Sequence, residues 1–156
     1  MKKARIETPL GIAEITGDAE GIISVKVLDE GKITKEIPGL LKDAVQQLQA
    51  YFEGKSENFN LPLNPRGTEF QKRVWNELQK IPYGTTTSYL KLAQKLGDVK
   101  AIRAVASANG KNPLWIIIPC HRVIGTDGSL RGYAGGLYRK KWLLDHENPP
   151  LQQSLF

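Results

Sequence analysis

The chain of 156 residues holds one cysteine, Cys120, and two histidines, His121 and His146. Cys120 stands in the string Pro119-Cys120-His121-Arg122-Val123, directly after the apolar run Trp115-Ile116-Ile117-Ile118. Such a run reads as a buried strand or extended segment. A cysteine where it ends and the chain turns can place its sulfur at the floor of a pocket. A free thiol has an unperturbed pKa of about 8.5, so only a few per cent is thiolate at neutral pH. Nucleophilic chemistry at Cys120 therefore needs a base or a positive field. His121 and Arg122 follow it directly, while His146 stands beside Glu147, a carboxylate able to orient an imidazole. Spacing alone does not choose between the two histidines. One cysteine cannot form an internal disulfide, and one Cys with two His cannot make a cysteine-rich zinc site. No metal and no cofactor is expected.

The elements that must position these groups fall into two sets, giving an α/β (α+β) fold class. Residues 1–60 read as a small strand-rich N-terminal lobe with one helix. Alternation in Arg5-Ile6-Glu7, Gly11 to Thr16 and Ile22 to Leu28 is broken by turn residues at Pro9 to Gly11 and Gly17 to Gly21. After Pro38 the period changes: Leu41, Val45, Leu48 and Phe52 share one helical face, and Gly54 can end the helix. Residues 55–67, polar and carrying Pro62 and Pro65, read as a linker.

Residues 68–148 read as a mainly helical C-terminal domain. Thr68 and Gln71 have capping-box spacing, and Phe70, Val74, Leu78 and Ile81 form a stripe that Pro82-Tyr83-Gly84 stops. Helices over Thr87 to Leu96 and Val99 to Ala108, broken at Gly97 with Asp98 as N-cap, have the outline of a helix-turn-helix. In the second, Ala101, Ala104, Ala106, Ser107 and Ala108 surround Arg103, so its backbone can approach another surface closely. A glycine-rich loop from Gly125 to Gly136 precedes a last helix over about Leu137 to His146, ended by Pro149-Pro150.

Net charge is +6, distributed unevenly. Residues 1–60 carry eight Lys and Arg against ten Asp and Glu; residues 61–156 carry 14 against 6. Asymmetry of this kind favours a polyanionic partner for the second part. No run approaches the roughly 18 apolar residues of a membrane span, and no secretory signal is visible, so the expected location is cytoplasmic, with no membrane association.

Pro119-Cys120-His121-Arg122-Val123 resembles the signature of the alkylguanine-DNA alkyltransferases, the methylated-DNA–protein-cysteine methyltransferases. The resemblance extends to Ser88-Tyr89, Leu92-Ala93, Arg103-Ala104-Val105, Asn112-Pro113, Ile118, Gly132-Tyr133, Gly135-Gly136-Leu137 and Trp142-Leu143-Leu144, covering roughly residues 68–148. It implies DNA repair by direct, stoichiometric transfer of an alkyl group from the 6-oxygen of guanine in duplex DNA to Cys120, by base flipping, with self-inactivation. It further implies that His121 takes the thiol proton through a water, Glu147 orients the imidazole, and Asn112 ties the helix-turn-helix to the cysteine turn. Arg103 would enter the duplex where the flipped nucleotide was, with Ala104 beside it in the minor groove. Tyr89 would sit by the phosphate and the departing base. Tyr133, Ala134 and Gly135 would form the pocket's loop wall, and backbone near Val123 would recognise the guanine edge.

Two departures stand out. The first lobe lacks the zinc ligands of some members, and Ala134 replaces a serine found in some relatives. The segment 149–156 contains Gln152, Ser154, Leu155 and Phe156 in a string similar to the pentapeptide with which bacterial repair proteins grip the sliding clamp. A monomer is expected. Two other readings compete: a non-enzymatic helix-turn-helix module that flags alkylated DNA, and a thiol hydrolase using Cys120, His146 and Glu147. Relatives that only bind carry tryptophan at the cysteine position, which this chain does not.

Overall fold

The computed structural model describes residues 1–130, 133 and 135–149. The alternating segments form strands β1 (Lys2–Thr8), β2 (Gly11–Asp18) and β3 (Gly21–Leu28), an antiparallel sheet in the order β1-β2-β3. A short 3₁₀ turn over Gly39–Leu41 leads into α1 (Lys42–Phe52). Ala44, Val45, Leu48 and Tyr51 are its buried face, with Phe52 only half-buried.

Residues 55–67 do more than link. The free edge of β3 takes two isolated parallel bridges, Ile22 with Leu63 and Val25 with Leu114. The Ile22 amide donates to the Pro62 carbonyl at 2.8 Å, and the Asn64 amide to the Ile22 carbonyl at 2.8 Å. Gly21, at φ +148°, permits this: a Cβ there would stand 2.6 Å from the Pro62 oxygen. The Cys120 side of the chain is docked on the same edge, through Val25 N–H to Pro113 at 2.9 Å and Trp115 N–H to Val25 at 3.1 Å.

Helix α2 (Glu69–Leu78) starts with the expected capping box: the Thr68 hydroxyl accepts from the Gln71 amide, and the Gln71 side chain accepts from the Thr68 amide. Its Trp75 donates to the Ala108 carbonyl at 2.9 Å, fixing α2 against the helix that carries Arg103. The helix expected from Thr87 begins two residues later. Thr87 and Ser88 form β4 (Thr87–Ser88), and α3 (Tyr89–Lys95) follows with Ser88 as its N-cap.

Gly97, at φ +86°, then turns the chain. The Gly97 amide donates to Gln94 and the Asp98 amide to Ala93, a Schellman closure of α3. Asp98 caps a 3₁₀ turn over Val99–Ala101, and α4 (Ile102–Gly110) completes the helix-turn-helix. Strand β5 (Val123–Ile124) pairs parallel with β4, so the chain just after the cysteine is hydrogen-bonded to the chain just before α3. Helix α5 (Leu137–Glu147) comes last.

The run Trp115 to Ile118 is buried, as expected, but it is a turn and not a strand. Ile118 N–H reaches back to Leu114 at 2.9 Å, and Ile116 lies at φ +70°. A β-branched residue there is strained. Ile116, 1% exposed, is held by the core around it. One continuous apolar cluster runs from the sheet through α1 and α2 to Val105, Ile118, Val123 and Leu143, so both parts of the chain share a core. None of the described helices is long and apolar enough to cross a membrane.

Candidate active site

Cys120 opens a 3₁₀ turn over Cys120–Arg122. It is 7% exposed and lines a cavity of about 470 Å³. Val25 and Val27 of β3, Asn109, Asn112, Trp115, Tyr133 and Gly135 are among its other walls. The open sheet edge thus contributes an apolar side to a cavity whose floor comes from the helical part. The predicted wall residues Tyr133 and Gly135 are there; Ala134 lies outside the described residues.

His121 and His146 are now distinguished. The His121 Nε2 lies 2.7 Å from Glu147 Oε2, both side chains fully buried. His146 Nε2 instead lies 2.7 Å from the Tyr51 carbonyl, and its ring stacks on Trp142. The hydrolase constellation of Cys120, His146 and Glu147 therefore does not assemble, although His146 and Glu147 are neighbours in sequence.

Glu147, in the last turn of α5, is encircled by donors. Tyr51 Oη donates to Oε2 at 2.6 Å, Arg122 Nε to Oε1 at 2.8 Å, and Arg122 Nη2 to Oε2 at 3.0 Å. The Gly84 amide adds 3.3 Å to Oε1. Burial alone would raise the carboxyl's pKa, but the His121 and Arg122 hydrogen bonds outweigh it and hold it far below the usual range. An ionised carboxylate only accepts, so His121 Nε2 must carry the ring proton and Nδ1 the lone pair. Burial also lowers the His121 pKa, against the pull of Glu147, which keeps the ring neutral near pH 7. Among the described residues Nδ1 has no hydrogen-bond partner. The arrangement can serve as a base: a neutral imidazole, oriented from behind, with its accepting nitrogen free of a partner among the described residues.

The thiol itself rests protonated. Burial pushes the Cys120 pKa up, opposed by a hydrogen bond from Asn112 and the charge of Lys140. Arg122, expected to supply a positive field to the sulfur, is spent on Glu147 and on the Ile81 carbonyl at 2.7 Å. The cation that acts on the sulfur is Lys140, a fully buried lysine whose Nζ donates to the Val123 carbonyl at 2.7 Å. Burial lowers its pKa to about 8, against the opposing pull of Cys120. Its ammonium also lies 5.8 Å from the Tyr89 ring centroid. The Val123 carbonyl, part of the backbone expected at the guanine edge, takes the Lys140 hydrogen bond on one of its two lone pairs.

Asn112 follows α4 and pins the cysteine turn: Nδ2 donates to Ile118 O at 2.7 Å, and Oδ1 accepts from Leu114 N at 2.9 Å. Arg139 fixes the opposite wall, donating to Gly135 O at 2.9 Å, Leu10 O at 2.8 Å and Asp29 at 2.8 Å. On α4, Val105, Ala108 and Asn109 face the core. Arg103, Ala104, Ser107 and Gly110 face solvent, an outward surface of one cation among small side chains. Tyr89 is half-buried at the start of α3.

Sequence reasoning missed Tyr51, Lys140 and Asn109. A tyrosine three residues after Leu48 on an apolar stripe was a readable signal for Tyr51. Lys140 had none: α5 buries Arg139 and Lys140 while exposing Leu137 and Tyr138, the reverse of an amphipathic surface helix, because it packs on a polar site.

Fold and site together define a class, proteins that set a buried, cavity-lining cysteine behind a helix-turn-helix. Residues 69–149 match the family model described as 6-O-methylguanine DNA methyltransferase, DNA binding domain, and residues 1–65 match the ribonuclease-like domain of the same methyltransferase. A methylated-DNA–protein-cysteine methyltransferase of Methanosarcina acetivorans is 46% identical, covering 94% of this chain and 98% of the relative. One from Mycobacterium tuberculosis is 42% identical, covering 97% and 96%. A crystal structure of Mycobacterium tuberculosis OGT in complex with DNA superposes with a TM-score of 0.83 at 45% identity, covering 92% of this chain and 90% of that one. The chain belongs to the 6-O-methylguanine DNA methyltransferase family.

Proposed function

We propose that this protein repairs alkylated guanine in double-stranded DNA by moving the alkyl group irreversibly onto Cys120. The observation that carries this reading is a single thiol lining a cavity, next in the chain to a neutral imidazole that Glu147 holds in one tautomer. As the sulfur attacks the alkyl carbon, its proton passes toward His121 Nδ1. The carbon–oxygen bond breaks with its electron pair on the 6-oxygen, and guanine is restored on taking up a proton. The imidazolium is stabilised by Glu147. Lys140 opposes the cost of negative charge on buried sulfur. A thioether offers no return path, so each molecule reacts once.

The alkylated oxygen lies at the base edge within the duplex, so the nucleotide must be turned out, at a cost of a few kcal/mol. In this reading Arg103 fills the gap left in the stack. Ala104 and the small exposed face of α4 let the helix backbone enter the minor groove, and Tyr89 stands by the phosphate of the turned-out nucleotide. Asn112 keeps the cysteine turn registered to α4, while Tyr133 and Gly135 form the loop wall. Residues 1–60 serve as the supporting lobe and 68–148 as the catalytic, DNA-binding domain, acting as a monomer in the cytoplasm. Incubated with excess methylated duplex, the protein is expected to remove methyl groups up to one equivalent and stop. Continued turnover would contradict the reading.

The segment with Gln152, Ser154, Leu155 and Phe156 lies outside the described residues. The same reading assigns it to a sliding clamp. Purified clamp is expected to bind the full chain and not a chain ending at Pro150; equal affinity for both would remove the assignment.

A further inference from the structure

One oxygen of the buried carboxylate is crowded with donors. Glu147 Oε2 faces Tyr51 Oη at 2.6 Å, His121 Nε2 at 2.7 Å and Arg122 Nη2 at 3.0 Å. A carboxylate oxygen has two lone pairs, so three donors on it compete and each weakens the hold of the others. Oε1 takes Arg122 Nε at 2.8 Å and the Gly84 amide at 3.3 Å.

Tyr51 is delivered to this oxygen by the N-terminal lobe. It lies in the last turn of α1 and is 1% exposed. Phe52 and Tyr83 meet its ring edge-on, with centroids 5.5 and 6.1 Å away, and Phe59 and His146 lie at 5.7 and 5.1 Å. Phe59 is itself tied down: Gln47 on α1 donates to the Asn60 carbonyl at 3.0 Å and accepts from the Asn60 amide at 2.8 Å. The hydroxyl is therefore aimed by packing around α1 and not by the turn that carries Cys120. Burial, with the charge of Glu147, pushes the phenol pKa well above its ordinary range, so Tyr51 stays a donor.

We propose that Tyr51 is a positioning residue for the transfer: by sharing Oε2 with His121, its hydroxyl limits how strongly Glu147 pulls on the imidazolium, so the N-terminal lobe sets the strength of the base. This rests on the alkyl-transfer reading and adds to it a residue of the other lobe that acts through Glu147. The groups facing His121 make the effect readable. Burial disfavours the imidazolium most, Glu147 favours it, and Arg122 and Lys140 oppose it. Cys120 opens the same turn. Through the acid range Arg122 stays charged, Lys140 lies below its pKa of about 8, and Glu147 stays ionised. His146 bonds the Tyr51 backbone carbonyl, which a side-chain substitution keeps.

The test follows single-turnover methyl transfer to Cys120 across pH in wild type and Tyr51→Phe. The reaction needs neutral His121, so the acid limb of the profile follows its protonation. Without the hydroxyl, Oε2 holds the imidazolium more strongly, and the limb of Tyr51→Phe is expected roughly half a pH unit or more above that of wild type. A chain with 3-fluorotyrosine at position 51, a stronger donor of nearly the same size, is expected to move the limb the other way. A residue that serves packing alone moves neither. Imidazole nitrogen NMR of the protein without DNA reads the His121 titration directly and is expected to show the same two shifts. Should Tyr51→Phe not fold, the fluorinated chain decides. Titrations that coincide with wild type, or shifts of the same sign in both variants, would overturn the proposal. Absence of methyl on wild-type Cys120 would overturn the alkyl-transfer reading, while the NMR titration still judges Tyr51.

Discussion

Cys120→Ala is expected to abolish alkyl transfer while leaving affinity for methylated duplex intact. No second cysteine can take the group. The substitution removes one sulfur from a cavity wall, and small truncations of this kind cost on the order of 1 kcal/mol of stability. The surface proposed to meet DNA, the outward face of α4 with Arg103, lies on an element that faces the core through Val105 and Ala108. Labelled DNA read both for retained methyl groups and for gel-shift affinity checks both halves. Transfer persisting in the variant would place the nucleophile elsewhere. A wild-type protein that binds as tightly but never transfers would be a damage-flagging module instead.

Glu147→Gln is expected to damage both rate and stability, because one carboxylate serves three buried side chains, His121, Arg122 and Tyr51. The amide keeps one acceptor oxygen and turns an N–H toward a donor, so either His121 or Arg122 loses its partner. Breaking a buried ion pair from one side costs about 3–5 kcal/mol. Loss of an oriented base costs about a hundred- to ten-thousand-fold in rate. Tyr51→Phe is the milder control, removing one of the carboxylate's donors and leaving its charge.

The pH dependence of stability follows from the same group. The folded pKa of Glu147 is depressed below that of the unfolded chain, about 4.3. Its stabilisation is therefore fully present above that value and is lost as pH falls toward the folded pKa. Urea unfolding at neutral pH and near pH 4 is expected to show a smaller acid-induced loss in Glu147→Gln than in wild type. Parallel losses would mean that Glu147 is not the acid-sensitive tie.

Much of this site could be read from local sequence because its parts are local: the capping box at Thr68 and Gln71, the glycine break at Gly97, and the cysteine after an apolar run. What could not be read depends on long-range packing. The run Trp115 to Ile118 has the composition of a strand, and periodicity cannot tell a buried strand from a buried turn. The free edge of β3 decides it: Val25 donates to the Pro113 carbonyl and accepts from the Trp115 amide, and the chain then turns with Ile116 at positive φ. The choice between His121 and His146 also waited on the fold. Adjacent residues at the end of a helix point in different directions, so Glu147 meets an imidazole 26 positions away and not its neighbour. Tyr51 reaches the same carboxylate from 96 positions away: its place on an apolar stripe could be read, but not the partner it would meet.

The most direct measurement is peptide mapping by mass spectrometry after the protein meets a duplex carrying 6-O-methylguanine. One methyl group should be found on the peptide containing Cys120, in molar equality with the guanine restored. An unmodified Cys120 alongside restored guanine, or a methyl group on any other residue, would contradict the assignment of that sulfur as the acceptor.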